Sequence, residues 1–370
     1  MNSITIKSDL LCYGISADFH VMKLFEQQNP NAIWRTGSNG IFIEFDNTQV
    51  LVSIKHRYNS VSPYKYSINK KYLIKNNNII KENVSLLSFP DWWNHVKLSS
   101  GRAFNDVFLF EGKGFFHQAY KGCDYVKKNA GCTFCSTGVR NSKDISPVDI
   151  GEAANMIKYY MSNAQICLGG GTYLPVSRNV YYFIECARKI RTFNQDIPIW
   201  VEMIPPSKTD ILRLIEAGIT GFNFNIEVWD CERRKYYCPG KFEIGKNHYL
   251  DILAFSANLL PNCVGSSFIV GLDFRKNILK AVDEMINIGV IPCLLPFRPF
   301  NGSPLETEPP CDSIDFLELN YYTIEKIYEN DLRLDKSQGC VLCGCCTIMQ
   351  DIWREKYQTN YVEPYMLKKH

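Results

Sequence analysis

Cys123, Cys132 and Cys135 lie in the run Gly-Cys-Asp-Tyr-Val-Lys-Lys-Asn-Ala-Gly-Cys-Thr-Phe-Cys, which spells C-x8-C-x2-C. Three thiolates converging from one loop can hold three irons of a [4Fe–4S] cube and leave the fourth iron open to a small molecule. The alternative is a zinc knuckle, but structural zinc wants four ligands in paired spacings, a pattern this run lacks. Further on, Gly169-Gly170-Gly171-Thr172 makes a turn in which backbone can approach a ligand with no Cβ in the way. A second group, Cys340-Val341-Leu342-Cys343-Gly344-Cys345-Cys346, is too dense in thiols to be core packing. In a reducing compartment it reads as zinc or a second iron–sulfur cluster, with Cys340, Cys343 and either Cys345 or Cys346 as ligands. Given the first group, the cluster is preferred. The isolated Cys12, Cys167, Cys186 and Cys263 read as small core residues.

These groups need a scaffold, and the pattern of strands and helices predicts one. Residues 1–112 read as a separate α+β accessory module. Within it, Ile41–Phe45 and Val50–Ile54 flank a turn at Asp46-Asn47-Thr48, and a Lys- and Asn-rich stretch over 69–83 is expected at the surface. From Phe115 the texture changes. Buried strands are predicted at Phe115–Tyr120, Gln165–Leu168, Ile199–Met203, Gly221–Glu227, Ser267–Val270 and Cys293–Phe297. Between them, Ser146-Pro147-Val148-Asp149 opens a helix through Tyr160, and Lys208–Ala217 forms another that stops at Gly218. Alternation of this kind requires right-handed crossovers and a parallel sheet. The fold class is α/β, a partial (β/α)6 TIM-type barrel over 113–310, with a cysteine-rich extension over 311–370. Ligands of such barrels sit at the carboxyl ends of the strands, where the cysteine loop, the glycine turn, Glu202, Asn225 and Glu227 all fall.

Composition excludes several function classes. The chain has 370 residues, 46% of them hydrophobic, enough for a large core, and a net charge of +3. Lys and Arg are spread along the chain, so nucleic acid is disfavoured as a partner. The start of the chain lacks a signal pattern, and no apolar run approaches the ~20 residues of a membrane span. A cytoplasmic protein with a small-molecule substrate is expected.

The cysteine loop, the aromatic Phe134 between its last two thiols and the glycine turn together resemble the radical SAM superfamily. The usual first gap in that family is three residues, so the eight residues here are a departure. The resemblance implies that the open iron chelates S-adenosyl-L-methionine (SAM), and that Gly169, Gly170, Gly171 and Thr172 meet its amino group. It implies that Glu202, Asn225 and Glu227 reach the ribose, and that Arg234 or Arg233 pairs with the carboxylate. A closer likeness is carried by Gly221-Phe222-Asn223-Phe224-Asn225-Ile226-Glu227, Cys238-Pro239-Gly240-Lys241, Tyr249, Gly271-Leu272 and the run from Pro296 to Glu306. Over residues 30–350 these are similar to biotin-synthase-like radical SAM proteins, and most to an uncharacterised subfamily encoded beside nitrilases.

The implied activity is reductive cleavage of SAM to a 5′-deoxyadenosyl radical that takes hydrogen from a small organic substrate. An electron donor such as flavodoxin or ferredoxin is implied with it. The second cluster would then assist oxidation or rearrangement, or donate sulfur as in biotin synthase. A metal-ordered extension of this kind can fold back over the open barrel mouth. The reading from another class is a non-catalytic zinc or iron–sulfur redox protein, which leaves the glycine turn and the strand-end carboxylates without a role.

Overall fold

The computed structural model describes residues 1–28, 40–87, 91–118, 122–135, 145–161 and 164–357. Helix α1 (Ser3–Tyr13) opens the chain, with the Asn2 side chain accepting from the Thr5 amide, and α2 (Phe19–Gln28) follows. The expected hairpin forms from β1 (Gly40–Phe45) and β2 (Thr48–Ser53). Its turn residues Asp46 and Asn47 both take positive φ, which matches the twist of the strands they join. The polar stretch expected at the surface has structure of its own. With β3 (Tyr64–Ser67), strands β4 (Tyr72–Lys75) and β5 (Asn78–Lys81) make an antiparallel meander turned at Asn76-Asn77, and Tyr64 and Leu73 anchor it in the core. The short β6 (Ser85–Leu86) pairs with β1.

The second half is the barrel. Strand β7 (Phe108–Phe110), inside the segment assigned to the first module, runs antiparallel to β8 (Phe115–Gln118) and forms one edge of a seven-stranded sheet. The sheet continues in chain order through β9 (Gln165–Leu168), β10 (Ile199–Glu202), β11 (Gly221–Asn223), β12 (Val264–Val270) and β13 (Ile291–Pro296), every pair from β8 onward being parallel. Residues 119–120 of the predicted first strand lie outside the described residues. Crossovers are made by α3 (Asp124–Lys127) and α4 (Pro147–Tyr160), then α5 (Val176–Phe193), then α6 (Lys208–Glu216). They continue with α7 (Cys231–Tyr237), α8 (Pro239–Phe242) and α9 (Lys246–Leu259), and with α10 (Arg275–Asn287). Helix α4 starts where its cap predicts, with Ser146 Oγ accepting the Asp149 amide at 3.0 Å. Strands β8, β9 and β12 are buried along their whole length, as a parallel sheet covered on both faces requires. The result is the partial (β/α)6 barrel that alternation predicts. Among the described residues, no helix is long and apolar enough to cross a membrane.

One strand is shorter than its sequence suggests. β11 stops at Asn223 because side chains take over the ladder: Asn225 Oδ1 accepts the Ser267 amide at 2.9 Å, and Ser266 Oγ accepts the Ile226 amide at 3.1 Å. The chain returns to β12 at Glu227, which bridges Phe268 with φ of 69°.

The C-terminal segment comprises α11 (Ser313–Glu329), α12 (Gly339–Cys343) and α13 (Met349–Tyr357). It does not fold over the mouth. Arg333 donates its amide to Asn262 Oδ1 at 2.8 Å, Thr220 Oγ1 donates to Gln338 Oε1 at 2.7 Å, and Gly339 donates its amide to Gln165 Oε1 at 2.8 Å. Gln165, Thr220 and Asn262 lie at the amino-terminal starts of β9, β11 and β12, so residues 333–340 close the opposite end of the barrel. The polar ends of those strands supply the partners that draw the segment there.

A buried charge pins this plug to the first helix. Lys7, fully buried in α1, donates to Gly344 O and to Asp351 Oδ2, both at 2.6 Å, and Asp351 also takes Arg354 at 2.7 Å. Burial outweighs the pull of Asp351 and lowers the Lys7 pKa. Lys7→Ala leaves the Gly344 carbonyl unmet and Asp351 with only Arg354 and Thr48 as partners, and should cost about 3 kcal/mol. A lower urea midpoint is the expected result. An unchanged midpoint in this variant would show that the pin does not hold the plug.

Candidate functional site

The cysteine loop leaves β8 and is tied on both sides. Cys123 is the N-cap residue of α3. The next residue, Asp124, donates its amide to Thr172 O at 2.7 Å and accepts the Leu174 amide on Oδ2 at 2.8 Å, which locks the loop to the glycine turn. On the other side Thr133 donates its amide to Tyr237 O at 2.9 Å, and Gly240 donates to Ala130 O at 3.0 Å. Glycine is needed at Gly171, where φ is 103° and a Cβ would lie 2.0 Å from the Gly122 carbonyl oxygen. All three loop cysteines are free thiols.

A cavity of about 350 Å³ runs from this loop into the barrel. Cys132, Cys135, Gly170, Gly171 and Thr172 line its upper end, and Glu202, Asn225 and Glu227 line it from the strand ends. Strands β8 and β13, at opposite edges of the parallel run, both contribute, through Phe115 and His117 and through Leu295 and Pro296. Cys340, Cys343 and Cys346 line the same cavity. These three are spaced C-x2-C-x2-C. Cys345 points elsewhere: its Sγ faces Gln49 Oε1 at 4.0 Å and packs on Gly112, where a Cβ would lie 2.5 Å from it. The choice left open between Cys345 and Cys346 is therefore one of direction, and Cys346 is the residue that faces the cavity. Cys123 lies on the loop but not among the lining residues.

The charges in the cavity are mostly paired. Glu227 accepts from Lys241 Nζ at 2.6 Å, and the same ammonium donates to Asn225 O at 2.9 Å. Burial pulls the Lys241 pKa down, but Glu227 beside it prevails and holds it well above its ordinary value. Contact with the Cys238 thiol, helped by Lys241, keeps the Cys132 thiol below its usual range against the opposing effect of burial. Burial pushes Cys346 up to about 11 although Arg298 beside it pulls the other way, and it raises Cys340 as well. Positive φ at Glu227, a non-glycine residue, marks stored backbone strain at a cavity-lining carboxylate.

Two predicted site residues sit differently. Gly169 packs against Glu202 and His117 beneath the turn. Arg234 is buried outside this cavity, with Nη1 donating to Val228 O at 3.2 Å and Trp229 O at 3.3 Å, while Arg233 donates to Leu272 O. Their donors serve the backbone of the strand-to-helix turn. Several lining residues were given no site role from sequence, among them the titratable Glu111, His117, Lys241 and Arg298. Lys241 was at hand in the Cys238–Lys241 run, and His117 in the pleat of β8, where it points to the lumen.

No family model matches this chain, and no curated protein sequence matches it. In structure it is similar to the [FeFe]-hydrogenase maturase HydG, with 14% identity, 52% of this chain and 45% of that one covered, and a TM-score of 0.44. It is similar to methylornithine synthase, PylB, with 15% identity, 59% and 65% covered, and a TM-score of 0.45. It is similar as well to a radical SAM methyltransferase from Sphaerobacter thermophilus, with 12% identity, 65% and 71% covered, and a TM-score of 0.44. The match spans less than half of the maturase and just under two thirds of the synthase.

Because the Gly122 carbonyl fills the space where a Gly171 Cβ would stand, Gly171→Ala should displace the adjoining Cys123. Anaerobic reconstitution should then incorporate fewer irons by about four per chain, the content of one cube. Full iron incorporation in this variant would separate the glycine turn from the cysteine loop.

Proposed function

We propose that this protein is a radical SAM enzyme acting on a small organic substrate held in the barrel. The observation that carries the reading is that thiols of both cysteine groups line one cavity, Cys132 and Cys135 from the loop after β8 and Cys340, Cys343 and Cys346 from the opposite end of the barrel. Cys123, Cys132 and Cys135 suit a [4Fe–4S] cluster with one open iron: they are three free thiols on a loop held by the Asp124 contacts, with a Cβ-free glycine turn beside it. When bound, that cluster supplies the electron that splits SAM into methionine and a 5′-deoxyadenosyl radical able to remove hydrogen from an unactivated C–H. The chain's own part is to bind and orient. Thr172 and the glycine turn present backbone at the cluster loop, and Glu227, fixed by Lys241, offers a second oxygen to a polar ligand group. The apolar lining, with Phe134, Ile269, Leu295 and Phe297, keeps water and competing hydrogen donors out.

Cys340, Cys343 and Cys346 suit a second cluster from below. Since they line the same cavity, that cluster would face the substrate, which supports assisted oxidation or rearrangement. The shared cavity equally favours a second reading, in which sulfur passes from this cluster to the substrate carbon.

Anaerobic reconstitution tests the proposal. We expect about eight irons and about eight sulfides per chain, two cubes. Cys346→Ala should lower both by about half while Cys345→Ala leaves them intact. Cys132→Ala should abolish 5′-deoxyadenosine formation. Zinc in both triplets without sulfide would overturn the assignment, as would full iron in Cys346→Ala.

A further inference from the structure

A third ligand set lies in the lumen between the two cysteine triplets. His117 on β8 and Cys167 on β9 are register partners, and Glu202 ends the next strand, β10. Their donor atoms, a ring nitrogen, a thiol sulfur and a carboxylate oxygen, all lie within 4.8 Å of one another. His117 Nε2 and Glu202 Oε2 are 3.5 Å apart. Two ligands about 2.0–2.1 Å from a tetrahedral zinc stand about 3.3 Å apart, so this pair needs almost no movement to share an ion.

The surroundings hold these donors in the orientation a metal requires. His117 Nδ1 contacts the Gln118 carbonyl at 2.7 Å, which holds a proton on Nδ1 and turns Nε2 toward Glu202. Glu202 Oε1 accepts from Asn223 Nδ2 at 3.1 Å, leaving Oε2 for the histidine side. Gly169 keeps the space above open, since a Cβ there would lie 3.3 Å from His117 Nε2 and 3.1 Å from Glu202 Cβ. His117 and Glu202 both line the cavity, whereas Cys167 is sealed behind them.

We propose that His117 Nε2, Cys167 Sγ and Glu202 bind a zinc ion whose fourth position opens into the cavity. A mixed nitrogen, sulfur and oxygen set suits this borderline-soft cation, and three protein ligands with one open position are the arrangement of a site that binds a small molecule. The occupant of that position is a heteroatom of the substrate, a carboxylate oxygen or an amine nitrogen, or water in its absence. The site stands on its own donors and does not depend on clusters in the cysteine triplets.

The test uses the full chain after anaerobic reconstitution, given one equivalent of zinc sulfate and desalted, with zinc, iron and sulfide measured in the same sample. We expect about one zinc per chain, and a zinc-edge X-ray absorption spectrum with one sulfur neighbour near about 2.3 Å and nitrogen or oxygen neighbours near about 2.0–2.1 Å. Asn223→Ala, which removes an outer-shell partner, should weaken zinc binding by about 10–100-fold. Cys167→Ser and His117→Gln should weaken it further, with iron unchanged. Three or four sulfur neighbours would place the zinc in a cysteine triplet and overturn the site, as would zinc retained in Cys167→Ser or absent from the wild type. Should a variant fail to fold, the wild-type spectrum decides alone. Iron and sulfide report separately on the radical SAM reading, so either assignment can fail without the other.

Discussion

A parallel sheet that curls without closing leaves a lumen, and the way that lumen is filled governs everything else in this protein. Inward side chains from strands at both edges of the parallel run face one another across it, and strand starts at one end expose polar groups that need partners. Here the C-terminal segment supplies them. Gln338 and Gly339 meet Thr220 and Gln165, and Gly339 fits against the Trp200 ring with no room for a Cβ, which would lie 2.7 Å from Cε2. The same segment carries Cys340, Cys343 and Cys346 to the cavity, so structural closure and the placement of these thiols are one event.

The plug is coupled to the first module by charge as well as by packing. Lys7 reaches from α1 to Gly344 within the cysteine run and to Asp351 beyond it, and the Leu51 amide of β2 donates to Cys345 O at 3.0 Å. The hairpin and helix at the start of the chain therefore help to set where Cys343 and Cys346 point. On the other side, His56 of the module accepts the Asn301 amide at 3.2 Å and packs on Phe300, bracing the loop that follows β13 and carries Arg298 into the cavity. The module that looked separable in sequence is thus in contact with both ends of the site.

Strand-end polar groups do different work according to how they are shared. Asn225 spends its side chain on the Ser267 amide and its carbonyl on Lys241, and so shapes the chain's departure from β11. Glu227, strained and half-neutralised by Lys241, stays directed at the cavity. Arg234, one position from Arg233 and chemically alike, folds back on two carbonyls instead of facing the cavity. Residue type alone did not separate these roles.

Local chemistry was legible in the linear chain. Strand and helix alternation, the Ser146 cap, the stop at Gly218 and the turn at Asp46-Asn47 follow from periodicity and backbone preference, which act over a few residues. The thiols at 123–135 and the glycine turn beside them are readable as local patterns for the same reason, since each lies within a short stretch of chain. What depended on direction was not. Cys345 and Cys346 are neighbours in sequence, and packing of Cys345 on Gly112 and Gln49 leaves Cys346 as the one that lines the cavity. Cys167, read as a small core residue, is indeed sealed from solvent, yet its register against His117 brings it to a ligand cluster that no spacing along the chain discloses. The plug's end of the barrel was likewise settled by partners more than a hundred residues away, Gln165 and Thr220, because hydrogen-bond complementarity across a fold leaves no periodic mark in the sequence.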